Sequence, residues 1–269
     1  MIISKIIGKC RRTAGKYQAD WMGRRQAELM ADLSFSEAAH RFPDRNQQHA
    51  YMHHYFSQLC PQAVKDHRNY FKQESRGFGE DAFHAMWYLL LREFQPTNCL
   101  EIGIYRGQVV SLWALLSHLF DFPCRIHGIS PFTPAGDQVS TYLANIDYMA
   151  DTIKNHEAFA LPLPNLLKAY STDEEALALI RSKAWDLIYI DGSHDYQVAL
   201  ADYEVCKDNL SDGGLLVMDD SSLYTNYRPP LFSFAGHPGP SRIVQERAMH
   251  EMQFLGAVGH NNIFIKVQS

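Results

Sequence analysis

The spacing of apolar positions divides the chain in two. Up to about residue 75 helix formers, aromatic residues and histidines are mixed with few β-branched runs, and Pro43 and Pro61 are the only obvious breaks. This pattern predicts a helical N-terminal region over residues 1–75, followed by a second unit over 76–269. In the second unit Phe83, Met86, Trp87, Leu90 and Leu91 recur at helical spacing and Pro96 closes the segment. Asn98–Ile102 then reads as a buried strand, followed by a glycine turn and an apolar helix over about 108–120.

Further along, Arg125–Ile129 is a second expected strand, a helix is expected around 137–156, and Leu166–Ala169 is a weak third strand. Thr172 and Glu175 have capping-box spacing ahead of an apolar helix. Trp185–Ile190 and Gly214–Met218 are continuous apolar runs, as central parallel strands buried on both faces require, with a crossover helix over 195–209 between them. A helix near 241–251 precedes two apolar runs separated by Gly259-His-Asn-Asn262, which predicts an antiparallel hairpin. The alternation gives an α/β fold: a Rossmann-like, doubly wound, mostly parallel sheet with a C-terminal antiparallel hairpin, preceded by a helical N-terminal region. Residues 221–240, rich in Ser, Tyr, Pro, Phe and Gly, form an expected lid.

Composition narrows the classes. With 46% hydrophobic and 20% charged residues the chain can bury a substantial core. A net charge of -5 offers no general attraction to phosphate backbones, so nucleic acid is not an expected partner. No apolar run is long enough for a membrane span, and five scattered cysteines without a C-x-x-C pair point to a reducing cytoplasm. The first 25 residues set Lys5, Lys9, Arg11, Arg12, Lys16, Arg24 and Arg25 against Asp20 alone. They could form a short basic amphipathic helix, either packed on its own domain or on a second subunit of a homo-oligomer, or serving as a surface toward a membrane or partner.

Two segments carry chemistry. Glu101-Ile-Gly-Ile-Tyr-Arg-Gly107 lies between a strand and a helix, where Gly103 permits a sharp turn and Gly107 a close helix start whose free N–H groups can hold an anion. The spacing is G-x-x-x-G after an acid, not the G-x-G-x-x-G of dinucleotide enzymes. The other segment is Ile190-Asp-Gly-Ser-His-Asp-Tyr196, which pairs with Met218-Asp-Asp220 one crossover later. Their carboxylates should emerge side by side on one sheet edge. Converging carboxylates raise one another's pKa unless a hard divalent cation such as magnesium shares them.

The glycine turn resembles motif I of class I S-adenosylmethionine-dependent methyltransferases. That resemblance implies that Glu101, Gly103 and Gly107 line the methionine end of the cofactor, with Glu101 favouring its ammonium, and that Tyr105 also contacts the cofactor. The acidic segments resemble the D-G-x-H-x-Y and D-D elements of small-molecule O-methyltransferases that include macrolide sugar O-methyltransferases and cephalosporin-hydroxylase-like proteins, over about residues 80–267. It implies Asp191, Asp219 and Asp220 as ligands of Mg2+ or another divalent cation, Asp191 also beside the cofactor, and His194 as general base toward a small-molecule hydroxyl, such as that of a sugar or sugar-bearing natural product. Where the family has a ribose-binding acid this chain has Ser130, so either Ser130 or another acid such as Asp137 is expected to face the ribose. Ser171 and Thr172 stand in the adenine-side place, although Thr172 would equally serve as a helix cap. His49 and His53, four apart, could hold zinc but lack a partnering ligand at suitable spacing. Tyr224, Tyr227, Phe232, Phe234 and His237 could stack on a substrate or pack under the loop. Two other readings stay open: a hydroxylase-like enzyme on the same scaffold, and a non-catalytic cofactor-binding assembly subunit.

Overall fold

The computed structural model describes residues 32–137, 139–140 and 142–267, so the basic stretch of the first 25 residues lies outside the described part. Its helices begin at side-chain caps. Ser34 and Glu37 form a reciprocal capping box for α1 (Phe35–Arg41), and Asp44 accepts the N–H groups of Asn46 and Gln47 to start α2 (Arg45–Gln58). These are followed by α3 (Gln62–Lys72) and α4 (Asp81–Phe94), the latter buried along most of its length.

The remaining elements are β1 (Asn98–Ile102), α5 (Gln108–Leu119), β2 (Arg125–Ser130), α6 (Tyr148–Glu157), β3 (Asn165–Lys168), α7 (Glu174–Arg181), β4 (Trp185–Ile190), α8 (Tyr196–Asp208), β5 (Leu210–Met218), α9 (Pro238–Ile243), β6 (Gln253–Val258) and β7 (Asn261–Ile265). Among the described residues these strands form a seven-stranded sheet in the order β3-β2-β1-β4-β5-β7-β6. The five strands from β3 to β5 are parallel, while β7 runs antiparallel between β5 and β6. The expected fold class is therefore the observed one, and the C-terminal hairpin extends the parallel sheet at the β5 edge.

Strand alternation decides what each face buries. Cys99, Leu187, Tyr189, Leu215 and Val217 face the N-terminal helices and α5, whereas Leu100, Ile188, Ile190, Leu216 and Met218 face α7, α8 and α9. Each fully buried Leu or Ile here contributes roughly 1.5–3 kcal/mol relative to exposure. Phe35, Met52, Tyr55 and Val64 belong to the same apolar cluster as Leu187 and Val217, so the described N-terminal helices share the sheet's core and spend their apolar faces on it. Polar ties fix the docking: Gln48 accepts the Ala257 N–H at 3.0 Å, and buried Arg45 donates to Asn262 at 2.5 Å.

Two expectations need correction. The helix expected over 137–156 is present only from Tyr148, where Asp147 caps it by accepting the Ala150 N–H at 3.0 Å; the described residues between 137 and 147 are not helical. Thr172 and Glu175 form no capping box. Asp173 is the cap residue of α7, and its carboxylate accepts the Tyr170 N–H at 2.9 Å, closing a turn before the helix. No helix among the described residues is long and apolar enough to cross a membrane.

Candidate functional site

Parallel register brings the acids together. Ile102 aligns with Ile190 and Ile190 with Met218, so the residues just beyond, Asp191 and Asp219, leave neighbouring strand ends. Backbone bonds from Asp191 N to Ile102 O (2.8 Å) and from Asp219 N to Ile190 O (3.0 Å) hold the two loops together. Glu101, on the same face of β1 as Cys99, completes a row of three carboxyls around buried Tyr189, whose ionisation they all oppose after burial itself. A cavity of about 10 Å³ is lined by Asp191, Gly192, Ser193, His194, Asp219 and Asp220, together with Ile190, Ala199, Met218 and Pro240. That volume suits one ion or one water, not an adenosyl group.

The glycine turn is closed tightly against this cluster. Gly103 has φ +95°, and a Cβ there would lie 1.8 Å from the Asp191 carbonyl oxygen. At Gly107, φ +81°, a Cβ would meet Thr152 of α6 at 2.7 Å. Both glycines therefore serve approach of chain to chain, whatever ligand they also admit. Glu101 is 3% exposed, and its Oε2 has no partner. Burial pushes its carboxyl up to about 8; the bond from the Val110 N–H opposes the rise, and nearby Asp219 adds to it. A buried, half-satisfied carboxyl beside a helix N-terminus fits an ammonium. Tyr105 packs among Phe78, Tyr142 and Tyr148, with centroids 4.7, 5.5 and 5.4 Å away.

Histidine pairs with the acids. His194 Nδ1 lies 2.6 Å from Asp137 and Nε2 lies 2.7 Å from Asp220. Burial alone would lower its pKa, but the two carboxylates raise it above the usual histidine range. Asp137, despite burial, is drawn down to about 2 by the N–H groups of His194, Val139 and Ser140 and by the His194 ring. Asp137 thus holds His194, which is a different placement from the ribose contact considered for it. Asp191 is pushed well above the carboxylate range by burial and by Asp219 and Asp220, whereas Asp220, although buried, is held low by His194 and His260.

Ser130, 6% exposed, donates to the Ile104 carbonyl at 3.0 Å, so it ties β2 to the glycine turn. Ser171 is half-buried and Thr172 exposed beyond β3. Near Ser171 lies Asp202 of α8, 1% exposed, with its carboxyl raised to about 6 by burial and its Oδ2 unpartnered. Sequence reading missed Asp202, because an acid on a crossover helix looks like a solvated position. It also missed His260, which stands in the β6–β7 turn with Nδ1 3.0 Å from Asp219 and 2.8 Å from Asp220. Burial would lower its pKa, but these acids raise it to about 10.

The 221–240 segment covers the site. Phe234 lies 4.7 Å from His260 and 5.5 Å from His237, and buried Tyr227 lies 5.6 Å from His49, while Tyr224 is exposed. His49 bonds Glu80 at 2.9 Å, and Phe232 approaches His53 at 5.6 Å. Among the described residues the groupings able to hold a metal are His194, Asp220 and His237, and Asp219, Asp220 and His260; neither includes His49 or His53.

Residues 100–221 match the family model described as a methyltransferase domain. The chain is 26% identical over 155 residues to Uncharacterized protein R132 of Acanthamoeba polyphaga mimivirus, an alignment covering 54% of this chain and 62% of that protein. The chain thus spans less than two thirds of that relative. Its fold is similar to the SAH-bound methyltransferase PaMTH1 of Podospora anserina (TM-score 0.54, 13% identity, 78% of this chain and 89% of that one). It is also similar to a putative O-methyltransferase from Klebsiella pneumoniae (0.53, 14%, 83% and 99%). The O-methyltransferase from Bacillus cereus in complex with SAH is a third (0.52, 15%, 81% and 97%). Residues 100–221 thus match a methyltransferase domain, and the fold as a whole is similar to that of solved methyltransferases.

Proposed function

We propose that the protein transfers the methyl group of S-adenosylmethionine to a hydroxyl of a small molecule, with a sugar or sugar-bearing natural product as the acceptor and a divalent cation assisting. The observation that carries this reading is the meeting of Asp191, Asp219 and Asp220 around an ion-sized cavity at the carboxyl edge of the sheet, with Glu101 close enough to act on Asp191. Asp191, Asp219 and Asp220 would hold the cation, and their mutual repulsion is what a cation would relieve. When bound, it supplies Lewis acidity that lowers the pKa of a hydroxyl.

The chain's own groups do the rest. Glu101 takes the cofactor ammonium, Gly103 and Gly107 let the turn close, and Tyr105, Ser130, Ser171 and Thr172 flank the adenosyl side. Asp137 fixes a proton on His194 Nδ1, which leaves Nε2, now on Asp220, as the atom that accepts the hydroxyl proton once an acceptor takes that place. The cavity must widen to admit the cofactor, and the 221–240 segment is the part that covers it.

The test is methyl transfer from radiolabelled S-adenosylmethionine to a panel of hydroxylated sugars and glycosides, with and without chelator. Transfer lost on chelation and restored by divalent cation is the expected result. S-adenosylhomocysteine binding with no transfer to any acceptor would instead favour a cofactor-binding subunit, and binding of neither compound nor cation would end the proposal.

Glu101 makes a second prediction. Its carboxyl, raised to about 8, is mostly protonated at pH 7, and an ammonium at hydrogen-bond distance would ionise it. Cofactor binding at pH 7 should therefore release close to one proton (about 0.9 per site). Calorimetric titration in buffers of differing ionisation enthalpy reads this directly; Glu101→Gln should abolish the buffer dependence, and wild-type heats independent of buffer would refute the assignment.

A further inference from the structure

The antiparallel register that brings β7 against β5 has a chemical consequence. Met218 aligns with Asn262, so continuing that pairing sets Asp220 opposite His260, and the bond from Ser221 N to His260 O at 2.9 Å closes the pairing. An imidazole from the far end of the chain is thus delivered into the acids that end β5. His260 is 6% exposed, clamped between Phe83 at 4.8 Å and Phe234 at 4.7 Å. Its Nδ1 stands 3.0 Å from Asp219 Oδ1 and 2.8 Å from Asp220 Oδ1. Yet buried Nδ1 and Asp219 Oδ1 make no aligned hydrogen bond with any group.

Atoms that converge at about 3 Å without donor-to-acceptor alignment are arranged as ligands are around a common centre, since donors about 2.1 Å from an ion sit about 3 Å apart. The rigid ring, held by two aromatic neighbours, is preorganised for that task. We propose that His260 is a nitrogen ligand of the divalent cation, with Asp219 and Asp220, and that the site consequently selects a borderline transition ion such as Mn2+, Co2+ or Zn2+ over Mg2+. Imidazole suits such ions, whereas Mg2+ favours oxygen and retains water. The oxygen donors of the acidic motif alone would carry no such preference. This inference rests on the cation reading above, and it adds both a ligand and a metal class to it.

The experiment titrates the full chain with MgCl2, MnCl2 and CoCl2 by calorimetry, and records pulsed paramagnetic resonance of the Mn2+ form after incorporation of 15N-histidine. Wild type should bind Mn2+ and Co2+ at least about tenfold more tightly than Mg2+, with a directly coordinated histidine nitrogen in the spectrum. His260→Ala, checked by circular dichroism, should lose that nitrogen signal and bring the Mn2+ to Mg2+ preference under about threefold while Mg2+ affinity changes little. Should the alanine variant fail to fold, His260→Gln keeps the ring's bulk in part and must show the same loss. Mg2+ binding as tight as Mn2+, or a nitrogen signal that survives in the folded variant, overturns the role of His260 alone. Absence of binding by every ion sinks the cation reading with it.

Discussion

Replacing His194 with alanine is expected to lower methyl transfer about 100-fold or more at neutral pH, with cofactor binding intact. The ring is placed by two acids, Asp137 at Nδ1 and Asp220 at Nε2, so its loss removes a positioned proton acceptor without opening the core. The pH dependence has a definite sign. Those carboxylates raise the pKa of His194 above the usual value near 6.5, which favours the imidazolium, and the ring accepts a proton only after losing one. The wild-type rate should therefore climb with pH through an ascending limb above pH 6.5, and the limb should vanish in the variant. Asp137→Asn should shift that limb toward lower pH, since it removes one of the charges favouring the imidazolium. A His194→Ala protein that keeps full turnover, measured with saturating cofactor, would exclude the base assignment.

A second large effect is expected at Gly103. A Cβ there would stand 1.8 Å from the Asp191 carbonyl oxygen, against backbone that cannot swing away, and the position has φ +95°. Gly103→Ala combines a strained backbone with an overpacked contact, together costing about 3 kcal/mol or more. The comparison is Gly213→Ala, where φ is +76° but nothing lies within 4 Å of a Cβ; strain alone should cost about 1 kcal/mol. Urea unfolding of both variants checks the pair. Equal losses would mean that β1 and β4 have room to part at the turn, contrary to the packing described.

The sheet and the acidic row were readable from the chain because both follow from local rules. Continuous apolar runs marked β4 and β5, and a parallel sheet leaves the residues after such runs on one edge, which is why Asp191 and Asp219 meet. Legibility failed where the partner is distant in sequence. His260 reaches Asp220 through the β5 to β7 register, which no periodicity displays, and Asp137 reaches His194 from an irregular stretch expected to be helix. Asp202 shows the same limit from another side: its helix was foreseen, but the direction of one acid into the core next to Ser171 depends on packing. Thr172 illustrates local competition, since the Asp173 carboxylate binds the Tyr170 N–H in a turn that displaces the expected cap by one position.

The strand last in sequence order, β7, is not last in space: it is wedged between β5 and β6. The His260 imidazole therefore comes to lie against the acids beyond β5 through a strand that is paired on both of its edges, with β5 on one side and β6 on the other.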